Sequence, residues 1–278
     1  MAATSRRLLG RVLTYLVMLT IAAIFIFPFL WLVSTALKPR GGDIFAFPPQ
    51  LIPRPPTLEN FRLLFDTFPY LHYALNSSIV AVGTVALNLV LCSLAAYPLA
   101  CMDFPGKDVI FYAILATMII PFHAILIALF MICVSLNLVN SYLGAILPFT
   151  VTAYGVFLLR QAFKGIPHEL LDAARIDGCG HLGIYFRIML PLVKPALGAQ
   201  ALFTFVARWN SFLWPVVILQ KEQYWTLQQG LAGMFHMFGY DWSKITAATV
   251  MVMLPIFLVF VALQRMFLEH YVTSGLKG

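Results

Sequence analysis

The sequence predicts an all-α membrane protein built from six transmembrane helices, and three observations lead there. Of 278 residues, 61% are hydrophobic and only 10% are charged, whereas a soluble domain carries about 25% charged residues. The mean hydropathy is +0.88. The apolar residues are gathered into uncharged stretches, and about 20 consecutive apolar residues suffice for a helix to cross the hydrocarbon core. So few charges leave too little polar surface to keep a globule of this size in water.

The first span covers about residues 12–37 and contains the dense apolar run Ile21–Trp31. It is too long for a signal-peptide core and has no small-residue cleavage site, so it reads as a retained anchor. The second covers about 76–102. The stretch 109–159 holds no Asp, Glu, Lys or Arg and supplies two spans, about 109–134 and 141–163. Between them Leu136-Asn137-Leu138-Val139-Asn140-Ser141 is the natural turn, because Asn and Ser satisfy free backbone groups. The fifth span, about 196–220, is interrupted only by Arg208, and the sixth covers about 245–267. The chain 1–278 is a single transmembrane domain, with an inner loop at 164–195.

The net charge of +7 reads as topology, because cytoplasmic loops collect Lys and Arg. With the N-terminus inside, the inner segments hold Arg6, Arg7, Arg11, Lys107, Arg160, Lys164, Arg175, Arg187, Lys194, Arg265 and Lys277. The outer ones hold Lys38, Arg40, Arg54, Arg62, Lys221 and Lys244. This balance places both termini in the cytoplasm, although the first outer loop, with four of those outer residues, runs against it. Basic residues confined to loops between spans argue against a nucleic-acid partner. Cys92, Cys101, Cys133 and Cys179 show no CxxC spacing and read as packing residues.

Two loops are more than connectors. The outer segment 38–73 contains Pro39, Pro48, Pro49, Pro53, Pro55, Pro56 and Pro69, so it is mostly extended or turned, with a short helix started by Thr57-Leu58-Glu59-Asn60-Phe61 and capped by Thr57. In the inner loop, Pro167 suits the first position of a helix, His168–Asp177 continues it, and Gly178 stops it. Ala173 and Ala174 form a flat patch flanked by Asp172 and Arg175. A second short helix, His181–Leu190, leads through Pro191 and Pro195 into the fifth span. Periodicity alone also accommodates an interfacial helix pair with Leu170, Leu171 and Ile176 facing lipid.

The residues of this loop say more. The run from Ile166 to Gly178, followed by Ile188, Leu190-Pro191-Leu192 and Lys194-Pro195-Ala196-Leu197, resembles the signature loop of ABC importer permeases, which reads Glu-Ala-Ala, Asp-Gly, Ile-x-Leu-Pro. Asp172 stands where that family usually has Glu, which keeps the charge but shortens the reach by one methylene. Leu37-Lys38-Pro39, Phe47-Pro48-Pro49, Pro53, Thr57-Leu58-Glu59-Asn60-Phe61, Pro121, Leu138-Val139-Asn140-Ser141 and Leu158-Leu159-Arg160 extend the likeness. So do Trp209-Asn210-Ser211-Phe212-Leu213-Trp214-Pro215, Thr226-Leu227, Gly230-Leu231 and the closing Gly275-Leu276-Lys277-Gly278. Together they are similar to the smaller, maltose-transporter-like permease of bacterial carbohydrate importers.

The resemblance implies a type I ABC importer permease fold in the bacterial inner membrane, serving maltose, trehalose, glycerol phosphate or a related solute. It implies a second, homologous permease, two ATPase subunits that hold ATP and Mg, and an extracytoplasmic solute-binding protein reached by the outer loop Lys221–Lys244. It places ATPase docking at Glu169, Asp172, Ala173, Ala174, Arg175, Asp177 and Gly178. Movement of the ATPases would carry this helix and rock the permease pair.

The chain itself has no phosphate loop, since its only Gly-Lys pair, Gly106-Lys107, is followed by Asp108; it has no HExxH and no metal cluster. A secondary transporter or a channel subunit not powered by ATP is the competing class. No Asp or Glu lies within a span and no internal repeat is visible, which argues against the former. For the solute pathway, Arg208 leads, because an ionised residue deep in a span is expensive and faces a cavity or a partner. Trp209 and Asn210 suit sugar stacking and hydrogen bonding, or packing. His123 beside Pro121 and Tyr154 complete the candidates.

Overall fold

The computed structural model describes residues 2–39, 50–237 and 241–274, and every regular element among them is helical. Phe47, Pro48, Pro49 and the closing Gly275-Leu276-Lys277-Gly278 of the sequence motifs lie outside these residues. Three helices are long and apolar enough to cross a bilayer alone: Gly10–Ala36, within α1 (Ala2–Ala36); α3 (Tyr70–Cys101), which follows α2 (Glu59–Thr67); and Trp242–Gln264, within the last helix. These are counted among the described residues, where three further stretches reach that length only as bent helix pairs. α4 (Lys107–Ala116) extends to Ile119 and meets α5 (Phe122–Ser135) at 103°. α6 (Tyr142–Ile146) extends to Phe149 and meets α7 (Ala153–Lys164) at 48°. The third pair lies beyond α8 (His168–Ile176). There α9 (His181–Ile184), a π turn over Tyr185–Met189 and α10 (Leu190–Leu192) meet α11 (Lys194–Trp209) at 75°. α12 (Leu213–Ile218), α13 (Leu227–Met237) and α14 (Trp242–Ser274) complete the chain.

These breaks correct three of the expected spans. The span at 141–163 is interrupted between Phe149 and Ala153, where the chain bends by 48°. The span at 109–134 is two half-helices, because Pro121 has no N–H to continue the ladder and drives Ile120 into an extended conformation (ψ 116°). The span at 196–220 is likewise not continuous. α11 stops at Trp209, with Asn210 as its C-cap, and α12 begins at Leu213. A helix running through would drive the Pro215 ring into the carbonyl of Ser211. Arg208 therefore sits in the last turn of α11 rather than midway along a span. The expected helix His181–Leu190 forms within one continuous helical stretch, His181–Leu192, whose middle is a π turn ahead of Pro191.

The chain forms two compact units, Met1–Tyr70 with Leu231–Leu254, and Leu71–Gly230 with Pro255–Gly278. In the first, α1 carries exposed apolar side chains along its length, such as Leu13, Leu19, Phe25 and Leu30. Its C-terminal carbonyls, which no further turn can satisfy, are closed by α2. The Asn60 amide donates to Ala36 O at 2.9 Å and Lys38 O at 2.7 Å. Thr57 Oγ1 accepts from the Glu59 N–H at 3.1 Å, so the expected short helix starts two residues beyond Thr57. In α14, Pro255 cannot donate to the carbonyl four residues back, Met251, and the Tyr70 hydroxyl donates there instead at 3.0 Å.

In the second unit the bend between α6 and α7 frees backbone groups that hydrocarbon cannot solvate. Asn88 of α3, fully buried, donates to Phe149 O at 3.2 Å and Thr152 Oγ1 at 3.4 Å. Cys92 Sγ accepts from the Thr152 N–H at 3.4 Å. From α11, the Gln200 amide donates to Asn88 Oδ1 at 2.7 Å. The close approach requires Gly155. A Cβ there would lie 2.5 Å from Gln200 Nε2 and 2.9 Å from Cys92 Sγ.

The turn at Leu136–Ser141 forms as expected. Asn137 and Asn140 adopt φ of 55° and 57°, a conformation Asn tolerates better than other side-chain-bearing residues. Ser141 caps α6 through Gly144 N–H.

Gly155→Ala is expected to destabilise the chain by about 1–3 kcal/mol through overpacking. The check is a lower melting temperature in detergent relative to wild type, with Gly233→Ala, where an added Cβ meets nothing within 4 Å, as the control.

Candidate functional site

Two regions gather the residues singled out by the sequence. The first is α8. Pro167 supplies its N-cap in an extended conformation (ψ 134°), and Gly178 ends it with φ 78°. The end is closed by two backbone bonds, Cys179 N–H to Ala174 O at 2.9 Å and Gly178 N–H to Arg175 O at 3.0 Å. This pair is the Schellman arrangement, which needs a residue at positive φ and explains the glycine. The nine-residue helix thus has both ends defined by local sequence.

α8 has two faces. Leu171 and Ala174 are buried in a core shared with Tyr97, Phe163, Ile184, Tyr185 and Met189. Tyr97 meets Tyr185 edge-on at 5.3 Å, and Ser93 Oγ is hydrogen-bonded to the Tyr185 hydroxyl at 2.7 Å. The opposite face presents Glu169, Leu170, Asp172, Ala173, Arg175 and Ile176, with Ile176 87% exposed. Asp172 and Arg175 pair along the helix at 3.2 Å. The alanine pair therefore divides. Ala173 lies on the outer face with Asp177 and Gly178 beside it, whereas the Ala174 side chain, expected at the patch, turns into the chain's own core. Leu171, offered as lipid-facing, is likewise internal.

The loop between α3 and α4 adjoins this face. Asp103 is held below the usual carboxylate range by its hydrogen bond from Lys107 at 2.9 Å, with Arg175 and His168 of α8 adding to the effect. Beneath it, buried Arg160 of α7 donates to Leu99 O at 3.0 Å and Asp108 Oδ1 at 3.0 Å, and lies over the Phe111 ring at 3.7 Å. It ties the end of α3 to the start of α4.

The second region is a groove of about 220 Å³ lined by Phe149, Thr152, Tyr154, Gln200, Phe203, Thr204, Ala207 and Arg208. The Arg208 guanidinium lies 3.8 Å over the Phe149 ring, and Tyr154 meets Phe203 edge-on at 6.2 Å. Two pathway candidates, Arg208 and Tyr154, are thus brought together. The other three are not part of the lining. Trp209 is buried and stacked on Phe205 at 5.6 Å. Asn210, past the end of α11, accepts from the Gln228 amide at 3.4 Å. His123 is exposed on the first turn of α5. Gln200 and Thr204 were missed, and their signal was available: with Arg208 they stand at i, i+4 and i+8, one face of a helix.

The inner-membrane component of binding-protein-dependent transport systems matches residues 88–270. The chain is 34% identical over 270 residues to the arabinooligosaccharides transport system permease protein AraQ of Bacillus subtilis strain 168, covering 96% of both.

The chain belongs to this family of importer permeases.

The permease is also 30% identical to the sn-glycerol-3-phosphate transport system permease protein UgpE of Yersinia pestis, over 93% of this chain and 95% of that one. Its fold is that of a chain in the crystal structure of a bacterial ABC transporter involved in the import of the acidic polysaccharide alginate. The TM-score is 0.79 at 24% identity, covering 94% of the permease and 97% of that chain. It is an all-α, multi-pass membrane protein of the type I ABC importer permease fold.

The two alanines give a direct test of the α8 geometry. Ala174→Trp must force an indole into a packed core and is expected to lose folded protein, since overpacking costs about 1–3 kcal/mol and often more for so large a residue. Ala173→Trp should leave yield and melting temperature in detergent at the wild-type level.

Proposed function

We propose that this permease forms half of the translocation pore of an ATP-driven importer for a sugar or sugar-like solute, and that α8 is the element through which a separate ATPase moves it. The supporting observation is the construction of α8. A helix fixed at both ends by Pro167 and Gly178 is keyed into the core by Leu171 and Ala174, yet presents Ala173 and Ile176 outward between charged residues. Such a helix transmits displacement as a rigid lever, because its inner side chains cannot slide without opening the core. On this reading Glu169, Asp172, Ala173, Arg175, Asp177 and Gly178 form the contact, while Ala174 acts from within.

The remaining parts of the assembly follow from the same reading. A second homologous permease completes the pore, two ATPase subunits bind and hydrolyse ATP with Mg, and an extracytoplasmic binding protein delivers solute to the outer side. Both termini lie in the cytoplasm of a bacterial cell, in keeping with the inner excess of basic residues, and each bent helix pair serves as one span. The arabinooligosaccharide and glycerol phosphate named for the relatives support a polyhydroxylated solute. The Arg208–Tyr154 groove, with its aromatic walls and hydrogen-bonding floor, is where it passes.

The test uses the transporter expressed with its ATPase and second permease. Wild type should retain the ATPase through purification, whereas Ala173→Trp, expected to keep the fold because Ala173 is exposed, should lose it along with solute uptake. Full retention of the ATPase by this variant would remove α8 from the docking site.

A further inference from the structure

The groove holds a guanidinium without a carboxylate partner among the described residues, and beside it lies a buried amide oxygen without a hydrogen-bond partner. Gln200 is 1% exposed. Its amide orientation is set, because Asn88 spends its NH₂ on Phe149 O and Thr152 Oγ1, leaving Asn88 Oδ1 to accept from Gln200 Nε2 at 2.7 Å. Gln200 Oε1 then lies buried without a hydrogen-bond partner, in a place where leaving an acceptor unpaired costs about 1–3 kcal/mol. Two turns along the same face, Arg208 stands over Phe149. Stacking occupies the flat face of a guanidinium and leaves the N–H edge available for a planar or tetrahedral anion. Among the described residues no carboxylate pairs with Arg208.

A neutral sugar would leave the cation without a counter-charge in a site of low dielectric. We infer that the solute carried by this permease bears an anionic group, a carboxylate or phosphate, on a polyhydroxylated body. Arg208 is its counter-charge. The aromatic walls from Tyr154 and Phe203 suit the apolar face of a sugar ring. The volume of about 220 Å³ falls short of the roughly 300–1,000 Å³ of a complete small-molecule site, which fits a half-site closed by the second permease. The inference rests on the groove being the solute pathway, and it names the solute class for that groove.

The experiment measures equilibrium binding and solute-stimulated ATPase activity of the complete transporter in nanodiscs with its binding protein. The probes are glucuronate against glucose, and glycerol 3-phosphate against glycerol. In wild type at least one anionic probe should exceed its neutral counterpart by about tenfold or more, as expected for a hydrogen-bonded charge pair, and the pair that responds separates carboxylate from phosphate. Arg208→Gln should abolish that preference by weakening the anionic probes, while Arg208→Lys should retain part of it. Neutral probes that match or exceed the anionic ones in wild type overturn the inference, as does the absence of any Arg208-dependent binding at millimolar concentration. If Arg208→Gln changes no probe at all, the pathway reading fails with it. Equal loss for charged and neutral probes leaves the groove as pathway but removes the anion. Loss of the second permease on purification of Arg208→Gln would make Arg208 a subunit contact and defeat the inference outright.

Discussion

A backbone that breaks inside hydrocarbon must find new partners for its N–H and C=O groups, and the second unit of this permease is organised around meeting that demand. The Asn88 side chain is the centre of it. Its amide reaches the carbonyl freed at Phe149 and the hydroxyl of Thr152, and its carbonyl takes the amide of Gln200. Three elements (α3, the α6–α7 bend and α11) meet at one side chain. Interhelical hydrogen bonds of this kind are worth about 0.6 kcal/mol on average in a membrane, but leaving the same groups unpaired would cost several kcal/mol each. The network is there because the alternative is worse.

That arrangement also shapes the groove. Bending the chain at Phe149 brings its ring under Arg208, and the close approach at Gly155 draws α11 near enough to use Gln200. The same device appears elsewhere in this chain with different residues. Pro255 deprives Met251 O of its donor and Tyr70 restores one; the end of α1 is closed by Asn60. Polar side chains on neighbouring segments repair breaks that the helices themselves cannot.

Elsewhere in the unit the task is to hold α8 rather than to bend a span. Tyr97, Tyr185 and Phe163 make a wall of edge-on rings against which Leu171 and Ala174 pack. Arg160 joins α3 to α4 close by. Because the aromatic wall belongs to α3 and α7 as well as to the π turn, α8 is packed against both helices at once.

The amino-acid sequence by itself determined the membrane class, the uncharged stretches and both ends of α8, because each depends on local composition or on one residue, such as Pro167 or the positive-φ Gly178. The turn at Leu136–Ser141 was legible for the same reason. Continuity of the spans at 109–134 and 196–220 was not, although Pro121 and Pro215 stood in plain view, because hydropathy averages over a proline that the backbone cannot. Facing was the other thing hidden. Ala173 and Ala174 are neighbours of one type, and only the packing of α8 decides that one points outward and the other into the core. Arg208 was recognisable as costly, but its companions Gln200, Thr204 and Phe149 were assembled by the bend and by close helix approach, which are properties of the tertiary structure alone.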